Sequence, residues 1–175
     1  SGKEVNGLGA QMMVKEAIAR SGLDPAQIAV KINYSRDAIY KAQQGTRPVP
    51  REAGEKLSAL HPLWGMAIAL QETGYRLFHF ATGDRHLQAL IRRDEKEDSE
   101  ADQALKPLPY LVLDRPGPEE MTNEDYEILR TFFRESIEAI SARINLMVEL
   151  DDQYQAGLLE ELRGEKEKDR SKAAR

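Results

Sequence analysis

The 175-residue chain is 41% hydrophobic and 31% charged with no cysteine. This admits one or two small domains with a modest core and excludes a disulfide framework, a thiolate metal site and a cysteine nucleophile. No apolar run approaches the roughly 18 residues needed to cross a bilayer, and no charged-then-apolar leader opens the chain, so a cytoplasmic protein without a membrane partner is expected. The net charge of −5 divides unevenly: residues 1–93 hold 13 Lys+Arg against 8 Asp+Glu, or +5, and residues 94–175 hold 12 against 22, or −10.

Ser1 to Gln11 is glycine-rich and without periodicity; Ser1-Gly2 has the look of a tag remnant, and Met12 or Met13 that of a natural start. Met12 to Arg20 reads as a first helix, closed by Ser21-Gly22. Asp24 before Pro25 marks the start of a second, because proline at the first helical position gives up an N–H that has no partner there anyway. That helix runs to about Ile32. Ser35 caps a third helix, Arg36 to Gln44, which Gly45 stops. After the proline-bracketed loop Thr46–Pro50, a fourth helix covers Arg51 to Leu60 and a fifth runs from about Pro62 to Gly74. Tyr75–Phe80 and Asp84–Arg93 read as shorter helical pieces. No stretch alternates as a strand would, so the expected class is all-α.

Residues 94–121 combine a charge run with Pro107, Pro109, Pro116 and Pro118 and read as a flexible acidic linker, with an apolar patch at Leu108–Leu113. Thr122 with Asp125 three residues on then opens a long helix over 122–170. Its apolar residues recur in steps of three and four at Tyr126, Phe133, Ile137, Ile140, Ile144, Met147, Tyr154 and Leu158, with Arg130 and Asp151 at seam positions. This is a coiled-coil-like 3.5-residue repeat, expected to form a rod on the order of 60 Å that makes a homodimer or higher homo-oligomer. The alternative is that the helix folds back on its own chain, and Asp151 and Gly157 favour a break.

The most informative stretch is residues 25–44. Ile28, Ala29 and Ile32 face inward from one helix and Ala38, Ile39 and Ala42 from the next; a small residue at 29 lets the helices cross closely, and Asn33 tolerates the left-handed turn between them. With Lys31, Ser35 and the Gln43-Gln44-Gly45-Thr46-Arg47-Pro48 ending, residues 12–73 resemble the phage-repressor (Xre/Cro-like) helix-turn-helix family. Pro25 stands where that family usually carries a glutamine that touches the DNA backbone, and Gln27 is the available substitute.

The resemblance implies a five-helix lambda-repressor-like domain within residues 12–93 and a nucleoid-associated regulator, a repressor by the family's habit, that binds double-stranded DNA. Helix 36–44 would enter the major groove with Arg36, Asp37, Tyr40 and Lys41 at base edges. Arg20, Gln27, Ser35, Gln44, Thr46 and Arg47 would meet phosphates. Asp37 and Lys41 also form an ordinary stabilising i,i+4 pair. The competing function is a protein-interaction module, an antitoxin or mobile-element adaptor, with a regulatory protein partner and secondary DNA binding. Glu72, His79 and His86 recur every seven residues, but Gly74 and Gly83 interrupt that face, and no phosphate-cradling loop or nucleophile elbow occurs. No metal, cofactor or enzymatic centre is expected.

Overall fold

The computed structural model describes residues 2–164, with side chains from Gly7 onward. All regular elements among the described residues are helical, and no helix is long and apolar enough to cross a membrane. The chain divides into two compact units, residues 1–80 with 147–175 and residues 81–146.

The first unit opens with α1 (Gly2–Ser21), followed by α2 (Pro25–Ile32), α3 (Arg36–Gln44), a 3-10 turn at Arg51–Ala53, α4 (Gly54–Ser58), α5 (Pro62–Thr73) and a second 3-10 turn at Arg76–Phe78. α1 packs along α5 and against α3, which it meets at Gln43, α2 packs on α3, and α4 on α5. The close approach of α1 to α5 uses Gly9, where a Cβ would lie 3.1 Å from a methyl of Leu70. Met13, Ile28, Ile39, Leu57, Leu63, Trp64 and Leu70 are fully buried and form the core. Burying side chains of this size is worth roughly 1.5–3 kcal/mol each, the main source of stability in so small a unit. α1 begins ten residues before the expected Met12, because Ala10 joins Met13, Val14 and Ala17 on the buried face. The expected single helix 51–60 is instead a 3-10 turn running into a five-residue helix.

The second unit holds α6 (Leu87–Leu105), α7 (Leu108–Asp114), a 3-10 turn at Pro118–Glu120 and the first part of α8 (Asn123–Tyr154). Residues 94–121, expected as a flexible linker, are thus largely helical. The charge run is held by partners: Lys96 bridges Glu97 and Glu100, and Arg143 of α8 pairs with Asp94 at 2.7 Å and Asp98 at 3.1 Å. Asn145, almost fully buried, accepts from the Ala81 N–H and from Arg85, and donates to the Ser141 carbonyl.

α8 starts on the expected cap. Thr122 Oγ1 accepts from the Asp125 N–H and Asp125 Oδ2 from the Thr122 N–H, while Arg115 Nε donates to the same carboxylate at 2.9 Å. The helix ends at Tyr154 rather than continuing to 170. Gln155 and Gly157 take positive φ values of 51° and 89°, and Asp151 Oδ1 accepts from the N–H groups of Gly157 and Leu158, capping a separate short helix, α9 (Leu158–Arg163). Tyr154 and Leu158, placed on one seam by the sequence, therefore belong to different helices. Residues 165–170 of the expected helix lie outside the described residues.

On α8 the buried positions are Ala142, Asn145, Leu146 and Val148, none of them on the expected seam. At about 100° per residue, Phe133, Ile137, Ile140 and Ile144 project from the side opposite Ala142 and Leu146. Phe133 is 55% and Ile140 48% exposed, whereas Ile137, Ile144 and Met147 are partly buried and the buried Val148 lies on their side of the helix, so the seam is open at Phe133 and Ile140.

Candidate nucleic-acid interface

α2 and α3 are two short helices joined by a tight turn, and their ends are set by local chemistry. Asp24 Oδ1 accepts from the Gln27 N–H at 2.8 Å and Gln27 Oε1 from the Asp24 N–H at 2.9 Å, a reciprocal capping box in front of Pro25. Ile28, Ala29 and Ile32 are buried, as expected. The turn is made by Asn33 in the left-handed region (φ 53°, ψ 57°), which lets the Tyr34 N–H reach the Ala29 carbonyl at 2.8 Å. Lys56 Nζ donates to the Ile32 carbonyl at 3.0 Å and satisfies the end of α2.

Ser35 Oγ accepts from the Ala38 N–H and caps α3, with Ile39 and Ala42 buried and Ala38 only partly so. Gly45 closes the helix at φ 73°. Lys41's carbonyl then gathers the Thr46 N–H and hydroxyl and the Arg47 N–H, so the loop after the helix folds tightly over its last turn. Two glutamines without any sequence signal hold this end in place. Gln11 Nε2 donates to the Gln43 carbonyl at 3.3 Å, and Gln71 clamps Val49 by accepting from its N–H and donating to its carbonyl. Their partners lie 32 and 22 residues away, beyond any local pattern.

The outward side of α3 brings together the residues expected at base edges. Ser35, Arg36 and Asp37 are exposed, and Tyr40 and Lys41 half-buried. Lys41 Nζ sits 2.6 Å from Asp37 Oδ2, and the Arg36 guanidinium lies 5.2 Å from the centroid of the Tyr40 ring. Gln44, Thr46 and Arg47, expected at phosphates, are exposed at the far end of the same helix and in the loop after it. Gln27 is exposed, although its amide oxygen is occupied by the cap.

Arg20 does not share this arrangement. Its guanidinium bonds Glu16, Glu149 and Asp152, and the Phe80 ring lies 5.9 Å from it. Burial alone disfavours its charge, but hydrogen bonds to Glu149 and Asp152 and the attraction of Glu149 more than offset that and hold it firmly protonated. Asp152 also meets the nearly buried His61, whose Nε2 is 2.7 Å from Oδ1 and whose Nδ1 accepts from the Leu63 N–H at the start of α5. An acceptor at Nδ1 places the ring proton on Nε2, donating to Asp152. Arg20 is thus the centre of an ionic cluster holding the end of α8 to α1 and α5.

Glu72 lies in α5, His79 follows a 3-10 turn and His86 precedes α6, so their seven-residue spacing does not run along one helix. The three carboxylates close enough to share an ion among the described residues are Glu97, Glu100 and Glu135, and each already pairs with Lys96 or Arg134. No protein-family model matches the chain, and comparison with curated proteins and with solved structures returns no significant match.

Proposed function

We propose that the chain is a sequence-specific DNA-binding transcriptional regulator of the phage-repressor type, acting as a dimer in which α3 enters the major groove and occupancy of the operator blocks a promoter. The observation that carries this reading is the exposed polar face of α3, with Arg36, Asp37, Tyr40 and Lys41 on one side of a helix that a capped turn holds at a fixed angle to α2. Around it Ser35, Gln44 and Arg47 offer hydroxyl, amide and guanidinium donors to phosphates, and Thr46 would join them only by giving up its bond to the Lys41 carbonyl. Arg20, committed to three carboxylates, takes no part. The exposed Phe133 and Ile140 of α8 support pairing, since a symmetric dimer reads two half-sites about 34 Å apart.

The test is the double substitution Arg36→Ala with Lys41→Ala on duplexes selected by the unaltered chain. Loss of binding, together with a linear fall of log K with log salt for the unaltered chain, is the expected result. Salt-independent binding would sink the proposal. A second reading is favoured by one observation: Tyr110, Val112 and Leu113 are 67% exposed or more in the acidic second unit, an apolar patch suited to a protein partner. Under that interaction-module reading, in which DNA binding is secondary, the same double substitution leaves partner capture intact.

A further inference from the structure

α7 is apolar on every side: of its residues only the last, Asp114, carries a charge. Leu108 and Leu111 turn inward and are partly buried. At about 100° per residue the other positions fall in the order Val112, Pro109, Leu113, Tyr110, Asp114 around the helix. All five are exposed, so they form one continuous outer arc, apolar until Asp114 ends it. A helix apolar all round is ordinarily buried all round. The charges beside the arc decide what can cover it. Residues 102–125 hold six carboxylates against Lys106 and Arg115, a net −4. At the C-terminal end of α7, Arg115 feels the attraction of Asp114, Glu120 and Asp125, and only the Asp125 carboxylate bonds it. Asp114 and Glu120 are exposed and have no ion pair of their own.

We propose, resting on the reading of this patch as a surface for a protein partner, that the outer arc of α7 docks a cationic segment of that partner. Large apolar side chains of the segment cover Tyr110 and Leu113, and flanking lysines or arginines meet Asp114 and Glu120. A second copy of the chain is a poor occupant, because it would oppose one net −4 face to another. The exposed side of α8 differs in this respect. Residues 126–146 hold three carboxylates and three arginines, so pairing there meets no net repulsion. Nucleic acid and anionic lipid are repelled by the α7 region as a second copy is. In the docked complex the apolar contacts supply most of the affinity, and the charges set the choice of partner and the rate of encounter.

The experiment pans a library of random displayed peptides on the full chain, with the double variant Tyr110→Ser, Leu113→Ser as counter-selection. Both side chains are exposed, so the variant should keep parental helicity by circular dichroism. Enriched peptides should carry Leu, Ile, Phe or Trp between Lys or Arg residues. A synthetic peptide of the enriched sequence should bind the double variant about 10-fold or more weakly than the parent. Asp114→Asn with Glu120→Gln, which leaves the apolar arc whole, should weaken binding by about 3-fold and flatten its salt dependence. Enriched peptides without basic residues, or equal binding to this charge variant, overturn the inference while leaving a protein partner in place. A Tyr110→Ser, Leu113→Ser protein that sediments differently from the parent assigns the arc to a second copy and overturns it as well. So does parental binding to phosphatidylcholine vesicles that the variant loses, which assigns the arc to a lipid surface. If no peptide prefers the parent to the variant, the interaction-module reading is overturned together with the inference, and DNA binding by α3 is untouched.

Discussion

Arg20 shows how one side chain's partners decide its role. On sequence alone a basic residue closing the first helix of a repressor-like domain suits a phosphate, but its side chain is only 19% exposed and bonds three carboxylates. Arg20→Met removes the cation and takes from Glu149 and Asp152 the guanidinium that bonds both. The expected loss is about 2–4 kcal/mol in urea denaturation, because breaking a largely buried pair strands the remaining charge. The salt slope of DNA binding should not change, whereas loss of a phosphate contact would reduce it by about one. Asp125 gives a pH signature of opposite origin. The Thr122 N–H and the Arg115 guanidinium hold its carboxyl below the ordinary range. As pH falls, the unfolded chain therefore takes up this proton first, and folding loses stability in that window. Its contribution is complete above about pH 4 and disappears as pH drops through the depressed folded value. Thermal melts between about pH 6 and pH 3 should show a shallower decline for Asp125→Asn than for the parent.

At the scale of elements, α2 and α3 were legible because their ends are written in contacts a few residues long. Asp24 with Gln27, Asn33 in the left-handed turn, Ser35 on Ala38 and Gly45 at the stop all act within four residues of themselves. Residues 94–105 were not legible, because a run of charges with little apolar content matches a solvated chain as well as a helix. What decides the matter is Arg143 on Asp94, 49 residues away. The cluster of His61 and Arg20 around Asp152 is likewise non-local, with separations of 91 and 132 residues. Gly45 joins the two kinds of information. Its φ of 73° is a local requirement, and a Cβ there would also come within 2.5 Å of the Gln11 amide, forcing that side chain off the Gln43 carbonyl. Gly45→Ala should cost about 1–2 kcal/mol in denaturant unfolding and weaken operator binding by displacing Thr46 and Arg47. Asn33→Gly, which relieves rather than imposes strain, should stay within about 0.5 kcal/mol of the parent.

For the molecule as a whole, the question is what covers the seam of α8. Removal of residues 122–175 looks like the natural test of oligomerisation from the sequence. The fold makes it unsuitable, because the segment also carries Glu149 and Asp152, whose bonds to Arg20 and His61 belong to the first unit. Such a truncation would destabilise the first unit whether or not a dimer exists, and so would weaken any function of α3 for a reason unrelated to pairing. Phe133→Asp with Ile140→Asp is cleaner. Both side chains are about half exposed, and both point away from Ala142 and Leu146, so the change leaves the buried face of α8 and every contact of Arg20 untouched. Sedimentation should then report a monomer with parental helicity. Affinity for an isolated half-site should be unchanged, while affinity for a two-half-site operator should fall by about 10²–10⁴-fold, the advantage that linkage of two readers supplies. A double variant that still sediments as the parent does would move the interface to another surface, with the exposed Tyr110, Val112 and Leu113 next to be substituted.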